Sequence, residues 1–386
     1  MVTWGHRNFG GDSSKVQEKL KNVQEIYATQ AAFAAILVDG SVVTWGDPGF
    51  GGESIRVRDK LRNVQRICAT ESSFAAILAD ESVVIWGANG SKVRDPTKKI
   101  KQICENTEAF AVVFSDGSVG TSGHQYFGGD NSRVRDKLKN VQKLHATNRA
   151  FAALLADGTV ATWGDPNSGG DSTRVRDQLN NVQEIYATGS AFAAILADGS
   201  VVSWGNPMFV ANSEVGDQLK NVQHICENQN AFAAMTSDGR VVAWGDPNFG
   251  GDSTAVKDQL RNVQQIHATE RAFAAILSDG SVVTWGDPDF GGDSAGVQDK
   301  LKNVQQICAK YFSFAAILED RTVVTWGDPK YCGDSSKVQD QLRNVQQLQA
   351  TRGSFAAITA HGTVVTWGNP NFGGDCAGVQ DELNRL

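Results

Sequence analysis

The chain has 386 residues, 41% of them hydrophobic and 20% charged, with 36 Lys and Arg against 43 Asp and Glu for a formal net charge of −7. This is the composition of a core-forming chain, and no run of residues approaches the roughly 18 to 20 consecutive apolar positions of a membrane span. The charges are interspersed, which argues against nucleic acid as a partner, because phosphate backbones select clustered cations.

Internal repetition is the main signal. All nine tryptophans are followed by Gly, and most then by Asp-Pro or Asn-Pro. Successive tryptophans are 40 or 41 residues apart, apart from one gap of 77 between Trp86 and Trp163 that is bridged by placing Ser122 in the Trp slot. The pattern predicts one repeat domain over 1–386, with units near 2–42, 43–83, 84–119, 120–160, 161–201, 202–241, 242–282, 283–323 and 324–364 and a partial unit at 365–386.

Met1 runs directly into repeat sequence, Val2-Thr3-Trp4-Gly5, with no signal-peptide pattern, so an intracellular, cytoplasmic location is expected. A start in mid-unit is also compatible with a fragment of a longer protein. Within a representative unit, Val282-Val283-Thr284-Trp285 is a β-branched and aromatic strand that stops at Gly286-Asp287-Pro288. Asp293 and Ser294 then cap a helix of about two turns with Val297 and Leu301 on its apolar stripe, closing near Asn303. Val304 to Ala309 and Phe314 to Leu318 are two further strands, and an Asp-Gly turn leads from the last of them to the next Val-Val-Thr-Trp. Phe, Ala, Ala, Ile and Leu leave both faces of that strand apolar, so each three-stranded unit must stack on its neighbours. The fold expected is mainly β: tandem repeats of three antiparallel strands plus a short helix, as a β-propeller or, alternatively, an open β superhelix.

The run from Ala268 to Gly280, followed by Val282-Val283-Thr284-Trp285-Gly286 and a Gly-Gly turn, resembles the repeat of the regulator of chromosome condensation family. The resemblance extends over essentially the whole chain. Its short three-stranded unit is similar to that of the β-lactamase inhibitory protein of the same fold, and the family's usual His before the Phe is replaced here by an apolar or small residue. The resemblance implies a propeller and a protein partner. It also admits, as alternatives, a regulatory guanine-nucleotide exchange factor or the substrate-recognition part of a ubiquitin ligase. The extra β-wedge and basic surface that exchange activity uses in that family are not apparent in these acidic repeats.

Residues with chemical potential have structural readings. The six cysteines lack a CxxC or CxxH pair, so no metal is expected. Four of them, Cys68, Cys104, Cys226 and Cys308, share a repeat slot with His145, His267, Tyr27, Tyr186 and Gln349, and reduced thiols are the simplest state. The loop from Asp246 to Ser253 has two carboxylates but not the dense oxygen ligands of a calcium site. Gly292-Asp293-Ser294-Ala295-Gly296 matches a nucleophile-elbow pattern, yet a Gly-Gly loop precedes the Ser where a strand is required. No catalytic residue and no cofactor is predicted, and the chain reads as a non-enzymatic scaffold.

Packing positions must repeat, whereas recognition positions need not. The turn between the two strands before each Val-Val-Thr-Trp differs in every unit, and these turns are expected on one rim. The candidate partner-binding residues are Tyr311, Phe312, Glu270, Arg271, Asn148, Arg149 and Arg352. Tyr311 and Phe312 are the strongest pair, because exposed aromatics in a turn typify interface anchors. A seam is also expected from Ala88 to Lys99, where the third unit is five residues short and leads to Ser122.

Overall fold

The computed structural model describes residues 3, 10–88 and 99–375. Trp4, His6, Cys376 and residues 89–98, where most of the expected seam falls, lie outside the described residues. The alternating and β-branched runs form strands as expected. Val23–Ala28, Ala32–Leu37 and Val42–Gly46 pair in that order as an antiparallel sheet, and the same trio recurs through the chain, giving nine three-stranded sheets among the described residues. The fold is mainly β and built of tandem antiparallel units.

The eighth sheet comprises Val304–Lys310, Ser313–Leu318 and Val323–Gly327. Each Val-Val-Thr-Trp run therefore closes the sheet begun by the hairpin before it. The chain divides into two compact units, Met1–Leu196 with Ser203–Pro207, and Ala197–Val202 with Met208–Leu386. The first unit contains sheets one to four whole, and the second contains sheets six to nine.

Within each unit consecutive sheets pack large residues against small ones. Ala231 and Ala233 of the sixth sheet meet Ile266, Phe273 and Trp285 of the seventh, and Ala272 and Ala274 of the seventh meet Ile307, Phe314 and Trp326 of the eighth. The first unit repeats the device, with Ala32 and Ala34 against Ile67, Phe74 and Trp86. Alanine on one face leaves the room that a Phe and a Trp fill on the other, which is how a core reaches native density without voids. The Phe and Trp are cross-strand partners, Phe273 opposite Trp285, with ring centroids 5.2 Å apart and stacked. Such a pair contributes about 0.5–1.5 kcal/mol beyond its buried area.

The connector is tighter than the two helical turns expected. After Val297, at φ −130°, it makes a single 3-10 turn, Gln298–Lys300, and Asn303 at φ +54° redirects the chain into the next strand. Among the described residues the one α-helical segment is a single turn, Ser213–Gly216. A short connector cannot recover the cost of helix nucleation, and here it has another use for its polar side chains. Gln298 Nε2 donates to the Val282 carbonyl at 3.0 Å, and Gln339 Nε2 to that of Val323 at 2.9 Å, so the outer edge of the third strand is occupied.

The Gly-Gly pair before the connector is required by close approach. A Cβ on Gly250, at φ +84°, would lie 2.8 Å from the Phe273 ring, and one on Gly251 would lie 2.4 Å from the Gly245 backbone. No helix among the described residues is long and apolar enough to cross a membrane.

Candidate functional site

The variable turns are built on a recurring scheme of hydrogen bonds that does not use their side chains. Just before every turn except Tyr311-Phe312 stands a Thr or Asn, and in most units it clamps the turn to the loop after the third strand. Thr269 Oγ1 donates to the Phe290 carbonyl at 2.9 Å and accepts the Ala272 amide at 3.1 Å. Asn228 does the same with its amide group, Nδ2 donating to Phe249 O at 2.7 Å and Oδ1 accepting from Ala231 N at 2.9 Å. Neighbouring turns are joined backbone to backbone. In the first unit Gln30 N donates to Glu71 O at 3.0 Å and Asn148 N to Gly189 O at 3.0 Å; in the second, Glu270 N donates to Tyr311 O at 2.9 Å. Main-chain bonds accept any side chain, so the side chains of the turns are free to differ.

In the second unit the turn side chains interleave with the loop aromatics to form a continuous row. The Arg271 guanidinium carbon lies 4.8 Å from the ring centroids of both Phe249 and Phe290, and its Nη1 is 3.7 Å from the Asp287 carboxylate. Phe312 follows, 5.2 Å from Phe290 and stacked at 4.2 Å on Tyr331. In the next turn the equivalent position is Gly353, whose Cβ would meet both the Tyr331 and Phe372 rings at 2.9 Å. The two rings therefore approach each other directly, with centroids 6.3 Å apart. The row reads Phe249, Arg271, Phe290, Phe312, Tyr331, Phe372.

Beside it stands Tyr311, with Lys310 Nζ 5.6 Å and the Arg352 guanidinium carbon 5.5 Å from its ring centroid. Lys310 occupies the position of the clamping Thr or Asn and has no acceptor to offer the turn. The first strand there runs one residue longer, and Tyr311 takes φ +36°. Burial raises the Glu270 carboxyl above the usual carboxylate range, against the opposing pull of Arg352 and Arg271.

Five of the seven residues singled out from sequence, Glu270, Arg271, Tyr311, Phe312 and Arg352, thus share one patch. Tyr311 and Phe312 are half-buried in it and Arg352 is exposed. Asn148 and Arg149 stand exposed in the first unit, where the Arg149 guanidinium carbon lies 5.4 Å from the Phe127 ring centroid. Sequence reasoning missed Phe249, Phe290, Tyr331 and Phe372. Their signal was available: each is the fifth residue after its Trp.

The other chemically capable residues are engaged in structure. Ser294 Oγ donates to Gln298 Oε1 at 2.8 Å and lies 3.0 Å from Thr284 Oγ1. Asp246 Oδ1 accepts the Asn248 amide and Asp252 Oδ1 the Thr254 amide, each at 2.9 Å. Burial pushes the Cys104 thiol up to about 12 and Cys332 up to about 11. Among the described residues no group of three or more His, Cys, Asp or Glu is placed to hold a metal ion.

Neither a family model nor a curated protein matches the chain. Among solved structures it is similar to yeast RCC1 (Prp20) crystallised with Kap60, at 16% identity and a TM-score of 0.40 over 84% of this chain and 77% of that one. It is also similar to the ectodomain of the Arabidopsis thaliana receptor kinase ACR4, at 13% identity and a TM-score of 0.36 over 77% and 93%. A third similar structure is the C-terminal domain of gp131 from bacteriophage phiKZ, at 10% identity and a TM-score of 0.35 over 95% of each chain.

Proposed function

We propose that the chain is a non-enzymatic protein-binding scaffold of the regulator of chromosome condensation repeat type, and that it engages a partner protein through the turn rim of its second unit. The observation that carries this reading is the row of rings and guanidinium groups ending beside Tyr311 and Arg352. Tyr, Phe and Arg held rigidly on a surface are the residues in which interface energy concentrates, because they bury much area while losing little conformational freedom. Turns bonded through their backbones supply the rigidity, and their side chains supply the specificity.

The test replaces Tyr311 and Arg352 together by Ala. Both lie beside the stacked row, so the unfolding midpoint should stay within about 1 kcal/mol of wild type. Proteins that co-purify with the wild-type chain are identified, and the affinity of each purified partner is measured against both chains. At least tenfold weaker binding by the variant supports the rim; equal affinity for every partner removes it.

A further inference from the structure

In sheets seven and eight the connector plugs the outer edge of the third strand with a carboxamide. Gln298 Nε2 donates to the Val282 carbonyl at 3.0 Å while its Oε1 accepts from Ser294 Oγ at 2.8 Å. Gln339 makes both bonds again, to Val323 O and from Ser335 Oγ, each at 2.9 Å. A backbone acceptor beside a serine donor is the complement of a primary amide.

Two sheets of the first unit keep this pair of groups without the plug. Over the third strand of the fourth sheet, Val160–Gly164, the slot of Gln298 is held by Arg176, whose Nη2 turns to Thr173 Oγ1 at 3.4 Å. Ser172 is 7% exposed and accepts from Thr162 Oγ1 at 3.1 Å, which leaves its own hydroxyl hydrogen to donate. Among the described residues no side chain donates to the Val160 carbonyl and none accepts from Ser172. The first sheet matches: Arg58 holds the slot over Val42, and Ser54 accepts from Thr44 Oγ1 at 3.1 Å. Val282 and Val323, under their glutamines, are 1% exposed, whereas Val42 and Val160 are half-buried.

A groove opens at both places. One of about 1020 Å³ is lined by Val160, Thr162, Ser172 and Arg176 and by Arg133 and Lys137 of the preceding connector. The other, about 1060 Å³, includes Val42, Ser54 and Arg58. Such volumes stand at the top of the range for ligand sites, well beyond the needs of one side chain. Each groove lies wholly within the first unit.

We propose that the groove over Val160 binds a peptide segment of a partner protein and recognises a glutamine side chain in it. The partner's carboxamide nitrogen donates to Val160 O, and its carboxamide oxygen accepts from Ser172 Oγ. A primary amide is the ligand because the chain itself supplies one to the same two groups in sheets seven and eight. Glutamate does not substitute, since a carboxylate has no hydrogen for the Val160 carbonyl and would set an anion against it. The site is separate from the turn rim and independent of it.

A displayed library of random short peptides tests the proposal, selected on the wild-type chain and on the double variant Arg58→Gln/Arg176→Gln. The variant gives both grooves the plug of sheets seven and eight, so its unfolding midpoint should not fall below that of wild type. Peptides selected on the wild-type chain should contain Gln and bind the plugged variant at least about tenfold more weakly, with a similar loss on Gln→Glu in the peptide. Arg58→Ala/Arg176→Ala removes the arginines without adding a plug and should bind the same peptides within about threefold of wild type. Ser54→Ala/Ser172→Ala, which deletes the donor and leaves the grooves open, should weaken them as the plug does. The proposal is overturned if no peptide distinguishes the wild-type chain from the plugged variant, or if the selected peptides tolerate Gln→Glu. Alanines at 58 and 176 as damaging as glutamines would also overturn it, by assigning the binding to arginine charge.

Discussion

The indole nitrogen of Trp285 donates to the carbonyl oxygen of Gly250 at 3.0 Å, across 35 residues of chain. The same bond, at the same separation, joins Trp45 to Gly10, Trp163 to Gly128 and Trp326 to Gly291. For Trp163, Trp285 and Trp326 it ties the third strand of one sheet to the loop that follows the third strand of the sheet before. Trp244 breaks the series: its Nε1 is buried without a partner. In the loop before it Val210 holds the slot of the first Gly, and the spacing from Trp204 to Trp244 is 40 residues where Trp244 to Trp285 is 41.

The two tryptophans should therefore respond differently to the loss of the indole N–H. Trp285→Phe forfeits a made hydrogen bond, whereas Trp244→Phe removes an unsatisfied donor, a difference of about 1–3 kcal/mol. Denaturant unfolding of the two variants measures it, with Trp285→Phe the more damaging. Equal losses would show that the bond contributes nothing to stability.

Arg321 stands at φ +64° in the hairpin position that Gly280 holds at φ +77°. A left-handed backbone costs a side-chain-bearing residue about 1–2 kcal/mol, of which the greater freedom of an unfolded glycine returns part. Arg321→Gly should stabilise the protein by about 0.5–1 kcal/mol, read as a higher unfolding midpoint. A lower midpoint would mean that the arginine makes contacts stronger than the strain it carries.

Acid should weaken the fold in two stages. Burial, aided by Lys143 and opposed by Glu184, lowers His145 from 6.5 to about 4. A folded pKa below the unfolded one stabilises the protein above pH 6.5, and that contribution is lost as pH falls toward 4. In the hairpins, Ser or Thr hydroxyls and backbone amides hold Asp39, Asp157, Asp279 and Asp320 below their ordinary value of 3.8. Their contribution is present above that value and disappears as pH drops through the lowered ones. His145→Gln should flatten the stability profile between pH 6.5 and 4 while leaving the steeper loss below it. An unchanged upper stage would assign that stage to other groups.

The scaffold and exchange-factor readings part on one assay. Release of labelled nucleotide from a panel of small GTPases should proceed at its spontaneous rate with the chain in excess. Acceleration of any member by tenfold or more would favour the exchange-factor reading.

Much of this protein was legible from sequence because the relevant physics is local. The 41-residue period, the three strands per unit and the Asp-Gly hairpins follow from side-chain alternation and turn chemistry within a few residues. The variable pairs, such as Glu270-Arg271 and Tyr311-Phe312, stood out because they differ in every unit while the packing positions around them recur. The connector was misjudged as a two-turn helix, since capping and apolar spacing do not register that Gln298 is needed at the edge of a strand sixteen residues earlier. Tertiary structure alone decided that Arg271 stands between Phe249 and Phe290, that Phe312 stacks on Tyr331, and that Tyr311 is half-buried. Those neighbours come from different turns and loops. They meet because sheets about forty residues apart in sequence stack large face on small face, a relation set by packing between repeats and absent from the pattern within any one of them.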